Sequence, residues 1–209
     1  MARVAATPTF CVDRYEAALV VAATGQPWSP YWFPGATAVR AVSLRNAVPQ
    51  AYVNGTQAAD ACAAAGKRLC TDAEWLRACQ GPGGTTYPYG SAYVAGNCND
   101  TRAVHPAVEL FGTTDAWMWN FLDHPCLDQL PASLGRTRDR TACVTAEGVY
   151  DMVGNLAERT ADPAGTLRGG DYVSAALNLN GFGCANAATA HNVGYHDYTT
   201  GFRCCADAP

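Results

Sequence analysis

The sequence predicts one mixed domain of short strands, two helices and long ordered loops, held by covalent cross-links. Three observations carry this. Twenty glycines and 12 prolines are spread along 209 residues, with no linker-like run and no internal repeat, which favours many short elements over a helical bundle. Ten cysteines stand at spacings that form neither paired CxxC knuckles nor a Cys/His zinc pattern. An even count without metal spacing reads as disulfides, hence an oxidising, extracytoplasmic compartment. Finally, two stretches between residues 56 and 81 carry helix-start and helix-stop residues at helical intervals.

In chain order, TFCVDRYEAALV (9–20) is strand-like at its start. Residues 24–50 hold Pro27, Pro30, Pro34 and Pro49 and read as a long ordered loop. Thr56 is then a candidate N-cap for QAADACAAAG and Gly66 its stop, with Ala58, Cys62 and Ala65 on one face. In KRLCTDAEWLRACQG, Thr71 is followed three residues later by Glu74, the capping-box pattern. It opens a second helix with Trp75 and Cys79 on one face and an end near Gly81. Residues 82–147 show weak periodicity, five prolines and the cluster WMW (117–119), and read as loops with short strands. So much loop in a compact domain needs disulfides, ions or function to hold it. Cys126 and Cys143, neighbours within this stretch, are the first choice for a staple.

Charge and hydropathy exclude several classes. The net charge is −4 and Lys67 is the single lysine, so phosphate backbones find no basic stripe and nucleic acid is not an expected partner. No apolar run reaches the ~18 residues of a membrane span. MARVAATPTF lacks the basic head and apolar core of a secretion signal, which leaves Met1 open as the start of a trimmed chain. Nothing demands an oligomer, and a monomer is expected; assembly through WMW is the structural-subunit alternative. No activated-serine elbow, phosphate loop or HExxH is present.

GKRLCTDAEWLRAC, YPYG (87–90), GVYDMVGNLAERT (148–160), RGG (168–170) and GFRC (201–204) stand in an order that resembles the formylglycine-generating enzyme, or sulfatase-modifying factor, family, from about residue 9 to 207. The resemblance implies an α+β fold, a variant of the C-type lectin fold with a twisted, mostly antiparallel sheet, two helices and much irregular chain, as a single domain over 1–209. It implies two disulfides, Cys62–Cys204 and Cys79–Cys184; Cys11, Cys70, Cys98 and Cys205 stay unassigned. It also implies a calcium ion at DMVGNLAE, held by the Asp151 and Glu158 side chains and the Gly154 and Leu156 carbonyls. Hard oxygen donors of this kind suit calcium's shell; the alternative is a tight turn whose acids cap nearby amides.

The same resemblance argues against the family's oxidase activity. That chemistry uses copper(I) held by two thiolates, and in register after RGG those thiols fall at Ser174 and Leu179. A serine hydroxyl is a hard ligand and leucine offers none, so no copper is expected. The family's tryptophan in its GN-x-W-E pattern is Ala157 here, and the next aromatic is Arg159. Formylglycine-type oxidation of protein cysteine is the alternative function, and zinc or iron at His191, His196 and Asp197 a further one.

Residues 171–200 hold no Lys, Glu, Gln, Met, Trp or Arg. The first five are the residues that a codon ending in a pyrimidine cannot encode. Variable proteins of diversity-generating retroelements resemble this family in fold and vary Asn codons near the C-terminus, which yields such an alphabet; a surface loop of little charge is the other reading. Either way the segment is rich in Tyr, His, Asn, Ser and Thr, which supply contact area and adaptable hydrogen bonds. The expected function is therefore a non-catalytic module binding a protein or glycan ligand. Candidate contacts are Tyr172, Ser174, Asn178 and Asn180 in the first half of the segment. His191, Tyr195, His196, Asp197 and Tyr198 complete the set.

Overall fold

The computed structural model describes residues 1–174 and 181–209. It is α+β, as the sequence predicts. One sheet contains β1 (Ala2–Val4), β2 (Phe10–Val12), β10 (Cys204–Asp207) and β5 (Arg68–Leu69), in that order and antiparallel throughout. A second has the order β8 (Ala187–Ala188), β7 (Leu167–Arg168), β6 (Ala157–Arg159) and β9 (Thr200–Phe202), in which β6 and β9 run parallel. A separate ribbon is formed by β3 (Ala17–Val21) and β4 (Val39–Ser43). Strand β4 falls inside the expected loop 24–50. Its prolines flank the strand, while Val39 and Ala41 alternate inward against the helix that follows.

That helix, α1 (Gly55–Ala64), starts two residues earlier than Thr56 suggests. Asn54 is the cap: its Oδ1 accepts from the Gln57 amide at 2.9 Å, and the Gln57 side chain reaches back to the Asn54 amide. The reciprocal pair satisfies two otherwise orphaned donors, which favours Asn54 over Thr56 as the cap. Helix α2 (Asp72–Gln80) begins at Thr71 with the expected box to Glu74 and stops at Gly81, whose φ is 62°. Trp75 and Cys79 are fully buried on its inner face. Within 82–147, α3 (Pro106–Phe111) and two short 3-10 turns, Ala116–Phe121 and Leu127–Gln129, replace the expected short strands. Trp117, Trp119 and Phe121 are exposed and Met118 is buried among Tyr52, Leu127, Tyr172 and Tyr198.

Four disulfides cross-link these parts. Cys62–Cys204 joins α1 to β10, and Cys79–Cys184 joins α2 to the segment after RGG, as the resemblance implies. Cys70–Cys205 binds the approach to α2 onto the same strand. The fourth corrects the expected Cys126–Cys143 staple: Cys143 pairs with Cys98, and Cys126 is an exposed free thiol. Backbone pairing explains the choice. The Asn155 amide donates to the Asn99 carbonyl (2.7 Å) and the Asp151 amide to the Cys143 carbonyl (3.0 Å), so DMVGN gathers Cys98 and Cys143 into one buried place. Cys11, half-buried in β2, is the other free thiol. The three bridges with separations of 142, 135 and 105 residues each stabilise by about 4–5 kcal/mol on the chain-entropy account.

Candidate functional site

Strand β7 ends at Arg168, which is pinned to Asp72 at the start of α2 by two 2.7 Å hydrogen bonds. Gly169 and Gly170 then turn the chain with φ of 83° and 68°. A Cβ on Gly170 would lie 2.5 Å from Ser174 Oγ, so the second glycine serves close approach as well as conformation. The turn closes on itself. Ser174 Oγ accepts from the Asp171 amide at 2.7 Å, and Asp171 Oδ1 accepts from the Val173 amide at 2.8 Å. Ser174, where the family's first thiol is expected, is thus 8% exposed, with its hydroxyl engaged by the backbone.

Two cavities meet at Ser174 and Asn186, which line both. The first, about 270 Å³, is lined by Tyr87, Tyr93, Asp100, Val153, Phe182 and the glycines 169, 181 and 183. Asp100 is 3% exposed and accepts a 3.4 Å bond from the Tyr93 hydroxyl. Burial raises its carboxyl to about 6. The second, about 240 Å³, is lined by Asp171, Ser174, His191, Tyr195, Asp197 and Tyr198 together with apolar neighbours. Burial, with Asp197 close by, raises Asp171 to about 7. No cysteine lines either cavity among the described residues.

The expected contacts divide. Ser174, His191, Tyr195, Asp197 and Tyr198 come together around the second cavity. Tyr172, fully buried, corrects the expectation of a surface contact: its hydroxyl donates to Asp128 at 2.9 Å inside the core around Met118 and Leu127. Asp197 and Tyr198 are also buried. Asp197 is an internal hub, accepting from the Tyr195 hydroxyl (2.5 Å) and from the Thr199 amide and hydroxyl (2.8 and 2.6 Å). His196 stacks on Phe33, ring centroids 3.7 Å apart, away from both cavities, and His191 stacks on Tyr195 at 3.8 Å. The His191, His196 and Asp197 metal alternative finds no support in that arrangement, and no cluster of three such ligands exists among the described residues. Asn178, Asn180 and Leu179 lie outside the described residues.

Tyr87, Tyr93 and Asp100 were not legible as site residues, whereas Asp171, Phe182 and Asn186 fall within the expected binding segment 171–200 without being among its expected contacts. Only the YPYG motif hinted at the tyrosine wall. Arg159 is a further surprise: it is buried, donating from Nη1 to the Gly165 carbonyl (2.6 Å) and from Nη2 to the Tyr195 carbonyl (2.5 Å). It clamps the loop that carries His191 and Tyr195.

The residues expected to hold calcium form a separate, buried place. Asp151 (φ 57°) accepts from the Arg138 amide at 2.7 Å through Oδ2; Oδ1 has no hydrogen-bond partner among the described residues. The Gly154 and Leu156 carbonyls likewise accept no hydrogen bond among the described residues, although both residues are buried. Buried orphan carbonyls are costly, and an oxygen-seeking cation would satisfy them. Glu158 is bound bidentately by Arg203, and its Oε2 also accepts from Trp75 Nε1 at 2.8 Å. Glu16 lies close, accepting from Asn155 Nδ2 (2.7 Å) and the Leu156 amide (3.2 Å). Three carboxylates thus face one guanidinium. Burial is the main reason that Glu16 is raised well above its ordinary range and Asp151 to about 7. The oxygens left over, Asp151 Oδ1 and the Gly154 and Leu156 carbonyls, are hard donors of the kind calcium takes, whereas both Glu158 oxygens are already engaged by Arg203 and Trp75.

The family model described as the sulfatase-modifying factor enzyme 1-like domain matches residues 11–208. Comparison with curated protein sequences finds no significant match. Among solved structures, PvdO from Pseudomonas aeruginosa is similar in fold, with a TM-score of 0.60 and 16% identity over 96% of this chain and 81% of that one. CarF is similar at a TM-score of 0.57 and 14% identity, covering 96% and 87% of the two chains.

Proposed function

Since this chain belongs to the sulfatase-modifying factor family, and keeps that family's frame without sulfur in its cavities, we propose that it is a non-catalytic, extracytoplasmic ligand-binding module. The recognition face is the pair of cavities around Ser174 with the loop 189–196 as their rim. The observation that carries this reading is the chemistry at the cavity junction. Copper(I) needs soft donors; the position offers a hydroxyl engaged by the Asp171 amide, and residues 175–180 (AALNLN) contain no cysteine. Donors of this kind do not fit the metal.

Binding follows from the chain's own groups. Arg159 and the disulfide at Cys184 fix the backbone beneath the rim before any partner arrives, which lowers the ordering cost of binding. The Asp151 side chain and the Gly154 and Leu156 carbonyls would hold calcium, with Glu158 kept beside them by Arg203; when bound, the ion supplies positive charge next to these acids. Four disulfides support an oxidising compartment, and no helix among the described residues is long and apolar enough to cross a membrane. The partner is a protein or a glycan.

The test is oxygen consumption with a cysteine-containing peptide and added copper(I). A silent electrode is expected; copper-dependent turnover would establish the oxidase alternative instead. The retroelement reading draws support from the restricted alphabet of 171–200 and from the exposure of Thr189, Ala190 and 192–194. It requires a near-copy of codons 168–205 in neighbouring DNA, differing only where that template has adenine.

A further inference from the structure

We propose that the cavity bounded by Tyr87, Tyr93, Asp100 and Phe182 receives an organic ammonium group, the chemistry of a methylated or unmodified lysine side chain. This rests on the recognition reading of the same cavity and names its ligand class. The first observation is an uncompensated charge. Asp100 is 3% exposed, yet it forms no ion pair among the described residues, and its one side-chain partner is the Tyr93 hydroxyl. None of the lining residues is Lys, Arg or His, and residues 175–180 contain none either. Among the described residues Arg140 is the one cation near enough to favour the charge, and its pull on Asp100 is weak. Burial lifts this carboxyl to about 6, and a cation in the cavity would favour its charged form. A buried carboxylate without a counter-charge is costly; a cationic ligand offsets that cost.

The second observation is independent of the charge. Aromatic rings share the cavity wall with the carboxylate: Tyr87 tilts against Tyr93 at 5.6 Å, and Tyr89 stacks behind Tyr87 at 5.5 Å. Phe182 adds a ring that is 57% exposed. Ring faces attract ammonium groups within about 6 Å, best when water is excluded. An anion would meet Asp100 with no cation to hold it, and a metal ion would find no second carboxylate on the wall. A volume of about 270 Å³ suits one side-chain head rather than a large ligand.

The test titrates the intact protein with choline, with its uncharged isostere 3,3-dimethylbutan-1-ol, and with a short trimethyllysine peptide, read by calorimetry and tyrosine fluorescence. Choline and the peptide should bind about tenfold or more tightly than the isostere. Asp100→Asn should remove that preference, and Phe182→Ala, at an exposed position, should weaken both cations several-fold without affecting folding. A peptide tighter than choline assigns the group to a protein partner, and equal affinity to a free amine; either supports the cation site. Equal binding of choline and the isostere, cation binding unmoved by both substitutions, or no binding of any probe at millimolar concentration overturns it. Those failures leave the oxygen electrode silent, so they are distinct from failure of the recognition reading.

Discussion

Arg203 holds Glu158 through two donors, Nε to Oε2 at 2.6 Å and Nη2 to Oε1 at 2.5 Å, with both side chains withdrawn from solvent. The pair joins the GFRC and GNLAE motifs across the fold. Removing one partner of a fully buried pair leaves the other uncompensated, at a cost of about 3–5 kcal/mol. Arg203→Met should be the more damaging change, because it strands Glu16, Asp151 and Glu158 together; Glu158→Gln should cost less. Urea unfolding followed by tryptophan fluorescence measures both, and a loss below about 1 kcal/mol for Arg203→Met would contradict this account.

Calcium should raise the thermal midpoint, and a chelator should lower it. At a hundredfold excess over Kd the ion contributes about 2.7 kcal/mol. Asp151→Asn should remove most of that response, since it takes a charge from the oxygen set. A midpoint that ignores both calcium and chelator would show that Asp151 caps the Arg138 amide and does nothing more.

Asp171 gives a pH dependence of definite sign. Its folded-state pKa is raised from 3.8 to about 7 by burial, so the folded chain keeps a proton that the unfolded chain releases. Stability from this group therefore falls as pH rises from about 4 to about 7. Buried Asp128 acts in the same direction, whereas Glu74, lowered overall by Arg68 and Thr71 despite its own burial, contributes stability that is complete above its ordinary value near 4.5 and is lost as pH falls below it. Thermal midpoints measured across that window with chelator present should decline in the native chain and decline less in Asp171→Asn. Parallel curves would refute the assignment.

Thiol chemistry separates the two unpaired cysteines. In the native state a thiol reagent should modify exposed Cys126 quickly and half-buried Cys11 slowly. Under denaturing, non-reducing conditions two thiols of the ten cysteines should react. Cys126→Ser should leave stability within about 0.5 kcal/mol, as expected for a surface change away from packed features. A count of zero would contradict the free state of Cys11 and Cys126.

How much of this was legible in the sequence depended on range. Thr71 and Glu74 could be read directly because a capping box is local, and Trp75 and Cys79 followed from helical spacing. The α1 cap was misplaced by two residues because Asn54 and Thr56 are both good caps, and the Gln57 side chain decided between them. Strand β4 was hidden among prolines, since its identity comes from pairing with β3. Cys98–Cys143 lay beyond any spacing argument: two backbone bonds from DMVGN bring the partners together. The cavity wall was least visible of all. Tyr87, Asp100 and Phe182 come from three separate irregular segments, none with a periodic pattern, and burial turned Tyr172 from an expected contact into core.

Cys204 and Cys205 are neighbours on β10, and successive residues of a strand face opposite ways. One is tied to α1 and the other to the turn before α2, so the final strand is riveted from both of its sides. The stretch from Cys184 to Cys204 consequently hangs between two covalent anchors. A proteolytic nick within it would leave both fragments on one molecule until a reductant frees them. By the same token, replacements along that stretch can accumulate while its two ends stay where they are.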